Sequence, residues 1–273
     1  MMRLLLVSPW LLLSGCALGP GQPFAILHPS FSAALEVPEG RDAGDGWQRL
    51  DTSYQVKFTN LELVFAPLQL QEVGASGPIT FDPGNPPPGY TVCHNGHCDR
   101  EDGALVPYAE VQAELNGGAG GPRTVVSLPV GTVDLLSGGE RPLECQPSCD
   151  LPFTELTRAL APVIRVRMAG LLRDGAVPAR IAETSWTLET DLQAAPVTLS
   201  GELSLIASNE HPLHAELLVA APLSGRLWDG IDAATLQPAA GPVDLNIEAN
   251  ADVREALLEN LAGLPLHTEV SRR

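Results

Sequence analysis

Ser53-Tyr54-Gln55-Val56-Lys57-Phe58-Thr59-Asn60-Leu61-Glu62-Leu63-Val64-Phe65 decides the fold class. Tyr54, Val56 and Phe58 alternate with polar neighbours, which is the period-two signature of a half-buried strand. The apolar set then moves to Leu61, Leu63 and Phe65, from even to odd positions. A one-residue slip turns the core face of a strand outward, so a β-bulge near Thr59-Asn60 is the simplest repair. Strand signals recur on both sides of this stretch: at 31–37 before it, and at 123–130, 163–168, 179–189, 197–206, 213–220 and 243–249 after it. A loop is expected over 74–92, and short helices over 107–115 and 153–161. The one well-marked helix comes near the end, where Val253, Leu257, Leu261 and Leu264 repeat at helical spacing between Asn250, a capping residue type, and Gly263. The pattern predicts an all-β fold: an antiparallel β-sandwich with a few short helices and a C-terminal helix.

Composition agrees. The 273 residues include 26 glycines and 25 prolines, which punctuate turns and break helices. Apolar residues make up 44 %, enough for a packed core rather than a disordered chain. The formal charge is −17, and Lys57 is the only lysine. Such a surface repels nucleic-acid phosphates and offers anionic lipid no polybasic grip.

The N-terminal residues carry a second message. Arg3 precedes an apolar run from Leu4 to Leu13, interrupted by Ser8 and Pro9. A basic start followed by a short apolar core is the layout of a secretory signal, and the core is about half the length a membrane-spanning helix needs. The run ends in Leu13-Ser14-Gly15-Cys16. This resembles the lipobox of bacterial lipoproteins, in which the cysteine receives a diacylglycerol, the signal is cut before it, and the new amine is acylated. The resemblance implies a signal peptide over 1–15, lipid on Cys16, and anchoring by several acyl chains. Ala17 follows the cysteine where an Asp would imply retention in the inner membrane, so the implied destination is the outer membrane. A glycine- and proline-containing tether is expected over 16–30, and a single β-rich domain over 31–273.

Four further cysteines remain: Cys93, Cys98, Cys145 and Cys149. An even number outside the cytosol points to disulfides. Proximity favours Cys93 with Cys98 and Cys145 with Cys149, while cross-pairing would clip two distant loops together; spacing alone leaves both open. A reduced four-thiolate zinc site is the variant reading, and an oxidising compartment ranks it below disulfides. Residues 93–98 read Cys-His-Asn-Gly-His-Cys, so His94 and His97 lie inside one cysteine pair. Neutral imidazole suits copper, zinc and nickel. His211 and His214 repeat the same separation. If the fold brings the two loops together, His94, His97, His211 and His214 form a four-nitrogen site for copper or zinc. No Cys-x-x-Cys-His haem attachment, His-Glu-x-x-His zinc-protease motif, Gly-x-Ser-x-Gly elbow or glycine-rich phosphate loop occurs, so the sequence predicts neither haem, nucleotide nor catalysis.

The exported N-terminus, the four mature cysteines, the strand-rich stretch from Tyr54 to Leu70, and Leu227-Trp228-Asp229-Gly230-Ile231-Asp232 together are similar to the periplasmic four-cysteine proteins of the metallo-mystery pair family. Those proteins are found beside methanobactin genes and di-haem peroxidase-like partners and are associated with copper. The resemblance implies copper handling and a periplasmic protein partner. The Cys-His-Asn-Gly-His-Cys cluster departs from that family's pattern. Three functions are therefore in view: an anchored metal-binding lipoprotein, a structural or adhesive β-sandwich whose cysteines only staple loops, and an enzyme whose site has no recognisable motif.

Overall fold

A single 21-residue strand, β12 (Thr154–Asp174), organises the chain. The computed structural model describes residues 23–72, 82–84, 86–87, 89–100, 103–108, 110–111, 122–207, 213–237 and 242–273. Two consecutive strands, β3 (Tyr54–Phe65) and β4 (Leu68–Glu72), run antiparallel along one edge of β12. Two others, β13 (Thr184–Asp191) and β14 (Val197–Ala207), run along the other edge. Pro67 follows the end of β3 and Pro196 precedes β14, while the Pro162 carbonyl accepts the Ala66 N–H at 2.8 Å. Proline cannot donate to a ladder, and the flanking strands are interrupted where these prolines fall. The short strands β2 (Gln48–Arg49), β8 (Arg123–Leu128), β9 (Gly131–Asp134) and β16 (Val243–Asp244) complete a nine-stranded sheet.

The bulge expected in β3 is present. Its register with β12 steps from Asn60↔Ala169 to Phe58↔Gly170, leaving Thr59 as the extra, exposed residue. Tyr54, Val56 and Phe58 before it and Leu61, Leu63 and Phe65 after it are all buried.

The helix expected over 153–161 is corrected to strand. Register breaks between Leu156 and Arg158 and between Val163 and Arg165 switch the parity of the buried face. Leu156, Ala159, Leu160 and Val163 thereby fall three and four residues apart and imitate a helical repeat, although each is strand.

The second sheet centres on β1 (Ala25–Leu35), which pairs in parallel with β15 (Leu213–Leu223) over eleven residues. This long parallel pair departs from a purely antiparallel sandwich. β17 (His267–Arg272) adds antiparallel to β15, and β10 (Glu140–Pro142) and β11 (Asp150–Leu151) add antiparallel to β1. Of the tether expected over 16–30, residues 25–30 are strand, the start of β1. His28 and Pro29 disguise the alternation, yet Ala25, Leu27, Phe31 and Ala33 are buried on one face. Pro29 lies between the pairings to β11 and β10, where its carbonyl accepts the Leu143 N–H. In 243–249 only Val243–Asp244 is strand. The region 107–115 lies largely outside the described residues.

The sheets face each other across one core. Phe31 meets Phe65 edge-on at 5.3 Å, Phe58 meets Trp186 at 5.8 Å, and Trp186 meets Trp228 at 4.9 Å. The sheets also join along two margins: Leu266 N–H donates to Ser200, and Leu35 N–H donates to Leu135. Helix α1 (Ala251–Ala262) buries Val253, Leu257 and Leu261 as the periodicity predicts. Asn250 does not cap it through its side chain. Its Oδ1 accepts from Gln237 N–H and its Nδ2 donates to Gln237 and Asp244 carbonyls. A third, three-stranded sheet of β5 (Tyr90–His94), β6 (His97–Arg100) and β7 (Leu105–Pro107) packs its own small core around Cys98, Val106 and Val111. Among the described residues no helix is long and apolar enough to cross a membrane.

Candidate functional site

The Cys-His-Asn-Gly-His-Cys stretch is a hairpin turn. Asn95 and Gly96 take φ of 51° and 88°, the left-handed pair that two-residue hairpins require and that Asn-Gly adopts readily. The turn fixes the register: His94 opposes His97, and Cys93 opposes Cys98. Side chains alternate across a strand, so the cysteines share one face and the histidines the other. Cys93 and Cys98 are joined as a disulfide, with buried Cys98 reaching into the small core. The imidazoles of His94 and His97 meet with centroids 4.6 Å apart and planes inclined at 62°. His94 is exposed and His97 half-buried.

Cys145 and Cys149 form the second disulfide. The pairing by proximity is therefore the one present, and neither cross-pairing nor a four-thiolate zinc site exists in this structure. The Cys145 loop laces the two sheets together. Gln146 exchanges two backbone hydrogen bonds with Ser127 of β8, and the Cys149 carbonyl accepts the Leu27 N–H of β1 at 2.9 Å.

Of the expected four-histidine site, the described residues His94, His97 and His214 form no three-ligand group. His211 lies outside the described residues. His214 pairs instead with His28, which sequence reasoning passed over: Nε2 of His28 is 3.3 Å from Nδ1 of His214, with rings nearly parallel at 5.6 Å. Their separation of 186 residues carries no local signal; only the β1–β15 pairing joins them. Among the described residues no group of three or more His, Cys, Asp or Glu is arranged to hold a metal ion. His94 and His97 therefore offer two protein nitrogens to a cation. Cys16 also lies outside the described residues.

The stretch Leu227-Trp228-Asp229-Gly230-Ile231-Asp232 serves as a lock. Trp228 is fully buried, Asp229 accepts from Arg41 Nη1 at 2.6 Å, and Gly230 N–H donates to the Asp51 carboxylate. Asp232 accepts from the Tyr54 hydroxyl at 2.7 Å, a bond that holds its carboxyl below the usual range, helped by the Ala234 N–H. Burial and the same bond push the Tyr54 hydroxyl up. Beside it, Arg180 stacks over the Tyr54 ring at 4.4 Å and donates to Asp174. These titratable groups are partnered to one another.

No protein-family model matches the chain, and no curated protein or solved structure matches it either.

Proposed function

We propose that this protein is an exported lipoprotein, anchored through lipid on Cys16, whose β-sandwich presents the His94–His97 hairpin as a binding site for copper or zinc. The carrying observation is the pairing of His94 with His97 across a turn closed by the Cys93–Cys98 disulfide. That closure restricts the hairpin ends and lowers the cost of ordering two imidazoles around an ion. Two nitrogens fill half of a tetrahedral shell, and water or a partner's side chain completes it. Structural zinc sites are closed by four protein ligands, so an open site suits uptake and hand-over. The two disulfides accord with an oxidising compartment. The strand-forming domain begins at Ala25, a short span from Cys16, which would hold the sandwich close to the outer membrane. A periplasmic protein that accepts or supplies the ion is the implied partner.

The test is calorimetric titration of the oxidised, detergent-solubilised protein with Cu(II) and Zn(II), against a His94→Ala/His97→Ala variant. Loss of one bound equivalent in the variant, relative to wild type, supports the hairpin site. Equal binding by both proteins removes the hairpin from the reading, and absence of binding leaves a disulfide-stapled sandwich that acts through protein contacts. Mass spectrometry of the mature N-terminus tests the anchor: diacylglycerol on Cys16 is expected, and an unmodified Cys16 sinks it.

A further inference from the structure

The outer face of the β1–β15 sheet carries a second arrangement of donors. We infer that His28 and His214 form a separate site for a first-row divalent transition-metal ion. The two strands run in parallel register, with Ile26 opposite His214 and His28 opposite Glu216, so the histidines are diagonal neighbours on one face. Their backbones are held by the core beneath: Ala25, Leu27, Ala215 and Leu217 are all buried on the opposite face. Nε2 of His28 and Nδ1 of His214 stand 3.3 Å apart. Two ligands each about 2.0–2.1 Å from a tetrahedral cation are about 3.3 Å apart, so the spacing fits a chelate. Ring centroids 5.6 Å apart, however, set the two nitrogens head-on in a hydrogen bond, and the imidazoles must tilt to aim both lone pairs at one ion. The ion sits off the line joining the nitrogens. One of the facing nitrogens carries the proton of the hydrogen bond between them. Binding moves that proton through solvent to the other nitrogen of the same ring, so that His28 is protonated on Nδ1 and His214 on Nε2 and only water is displaced.

The electrostatic setting favours a cation. Glu216 lies directly across from His28 and two residues along from His214. Arg273 Nε approaches Glu216 at 3.6 Å, which offsets one charge. Glu140 and Glu269 remain on the walls of the adjoining groove, whose volume is near 540 Å³ and whose lining includes His28 and Glu216. The groove leaves room for the waters that complete the shell. Imidazole donors with open positions rank Cu(II) above zinc and nickel.

This site stands independently of the hairpin, and the test keeps them apart. Cu(II) is titrated into the oxidised, detergent-solubilised His94→Ala/His97→Ala protein, with electron paramagnetic resonance as readout. One equivalent is expected, showing coupling to two imidazole nitrogens. Adding His28→Ala or His214→Ala should weaken it by at least the roughly 10- to 100-fold that loss of a supporting residue costs a metal site. Both histidines are at the surface, so thermal unfolding should not change. Retained binding in the His28→Ala protein, loss on His211→Ala but not on His28→Ala, or no Cu(II) bound in the hairpin-free background would each overturn the assignment. Copper bound by that background and lost with His28, with the wild type also taking one equivalent, would support this site and reject the hairpin.

Discussion

Arg180 Nε donates to Asp174 Oδ2 at 2.7 Å, and the Asp174 side chain has no exposed surface. The same carboxylate accepts from Ser53 Oγ and from the Ala176 and Arg180 N–H groups. The Arg180 bond is the largest influence and holds the Asp174 pKa far below the ordinary carboxylate value, against the opposing effect of desolvation. The folded state therefore binds this proton less readily than the unfolded chain. Its stabilisation is complete at neutral pH, begins to fade near the unfolded carboxylate pKa of about 4, and is lost as pH falls towards the folded value. Urea unfolding midpoints measured from pH 7 down to pH 3 should show Asp174→Asn less stable at neutral pH and with a shallower acid decline. Glu72, Asp191 and Asp232 are also held low and keep part of the slope. An unchanged slope in the variant would contradict the assignment.

Gly170 has no room for a methyl group. A Cβ there would lie 2.3 Å from the Lys57 carbonyl oxygen and 3.0 Å from Trp186 Nε1. One obstacle is backbone of the neighbouring strand and the other a fully buried ring, so neither can yield cheaply. Gly170→Ala should cost at least about 1–3 kcal/mol, the usual penalty of overpacking a core. Gly263 is the control, with φ of −77° and no atom closer than 3.5 Å. Gly263→Ala should leave the urea midpoint unchanged or raise it slightly, since alanine restricts the unfolded chain.

The two disulfides should differ in what they stabilise. The Cys145–Cys149 loop bonds to β8 of one sheet and β1 of the other. Replacing both cysteines with serine should lower global stability by about 2 kcal/mol, the loop-entropy value for so short a ring. The Cys93–Cys98 bridge serves a hairpin with its own small core. Its removal should increase amide exchange locally in β5 and β6 and leave the global unfolding midpoint in place. A global loss from the hairpin variant equal to that of the Cys145/Cys149 variant would refute this division.

Sequence legibility followed the locality of the signal. β3 was readable because its bulge falls between two clean runs, Tyr54 to Phe58 and Leu61 to Phe65. β12 was misread over 153–161 because two breaks lie seven residues apart, leaving neither run long enough to declare its period. β17 gave no warning: His267, Thr268, Glu269, Val270, Ser271 and Arg272 contain one apolar residue, as an edge strand needing little burial can. The His94–His97 pairing was legible from Asn-Gly between two histidines. The His28–His214 pairing was not, because it depends on a parallel register between strands 186 residues apart.

The bulge at Thr59 makes the sharpest demand on the sequence. Thr59 is exposed and its side chain contributes little to packing, so Thr59→Ala should shift stability by no more than about 0.5 kcal/mol, as for most surface positions. Deleting Thr59 is different in kind. β3 would have to keep one continuous register with β12, turning either Tyr54, Val56 and Phe58 or Leu61, Leu63 and Phe65 away from the core. Exposing three large apolar side chains costs about 1.5–3 kcal/mol each. The total is comparable with the roughly 5–15 kcal/mol that stabilises an ordinary domain. The deletion should therefore fail to fold or unfold at very low urea, while the alanine variant unfolds like wild type. If the deletion retains near-native stability, Thr59 is a removable insertion, and the even-to-odd switch in the buried face must be maintained by some other part of β3.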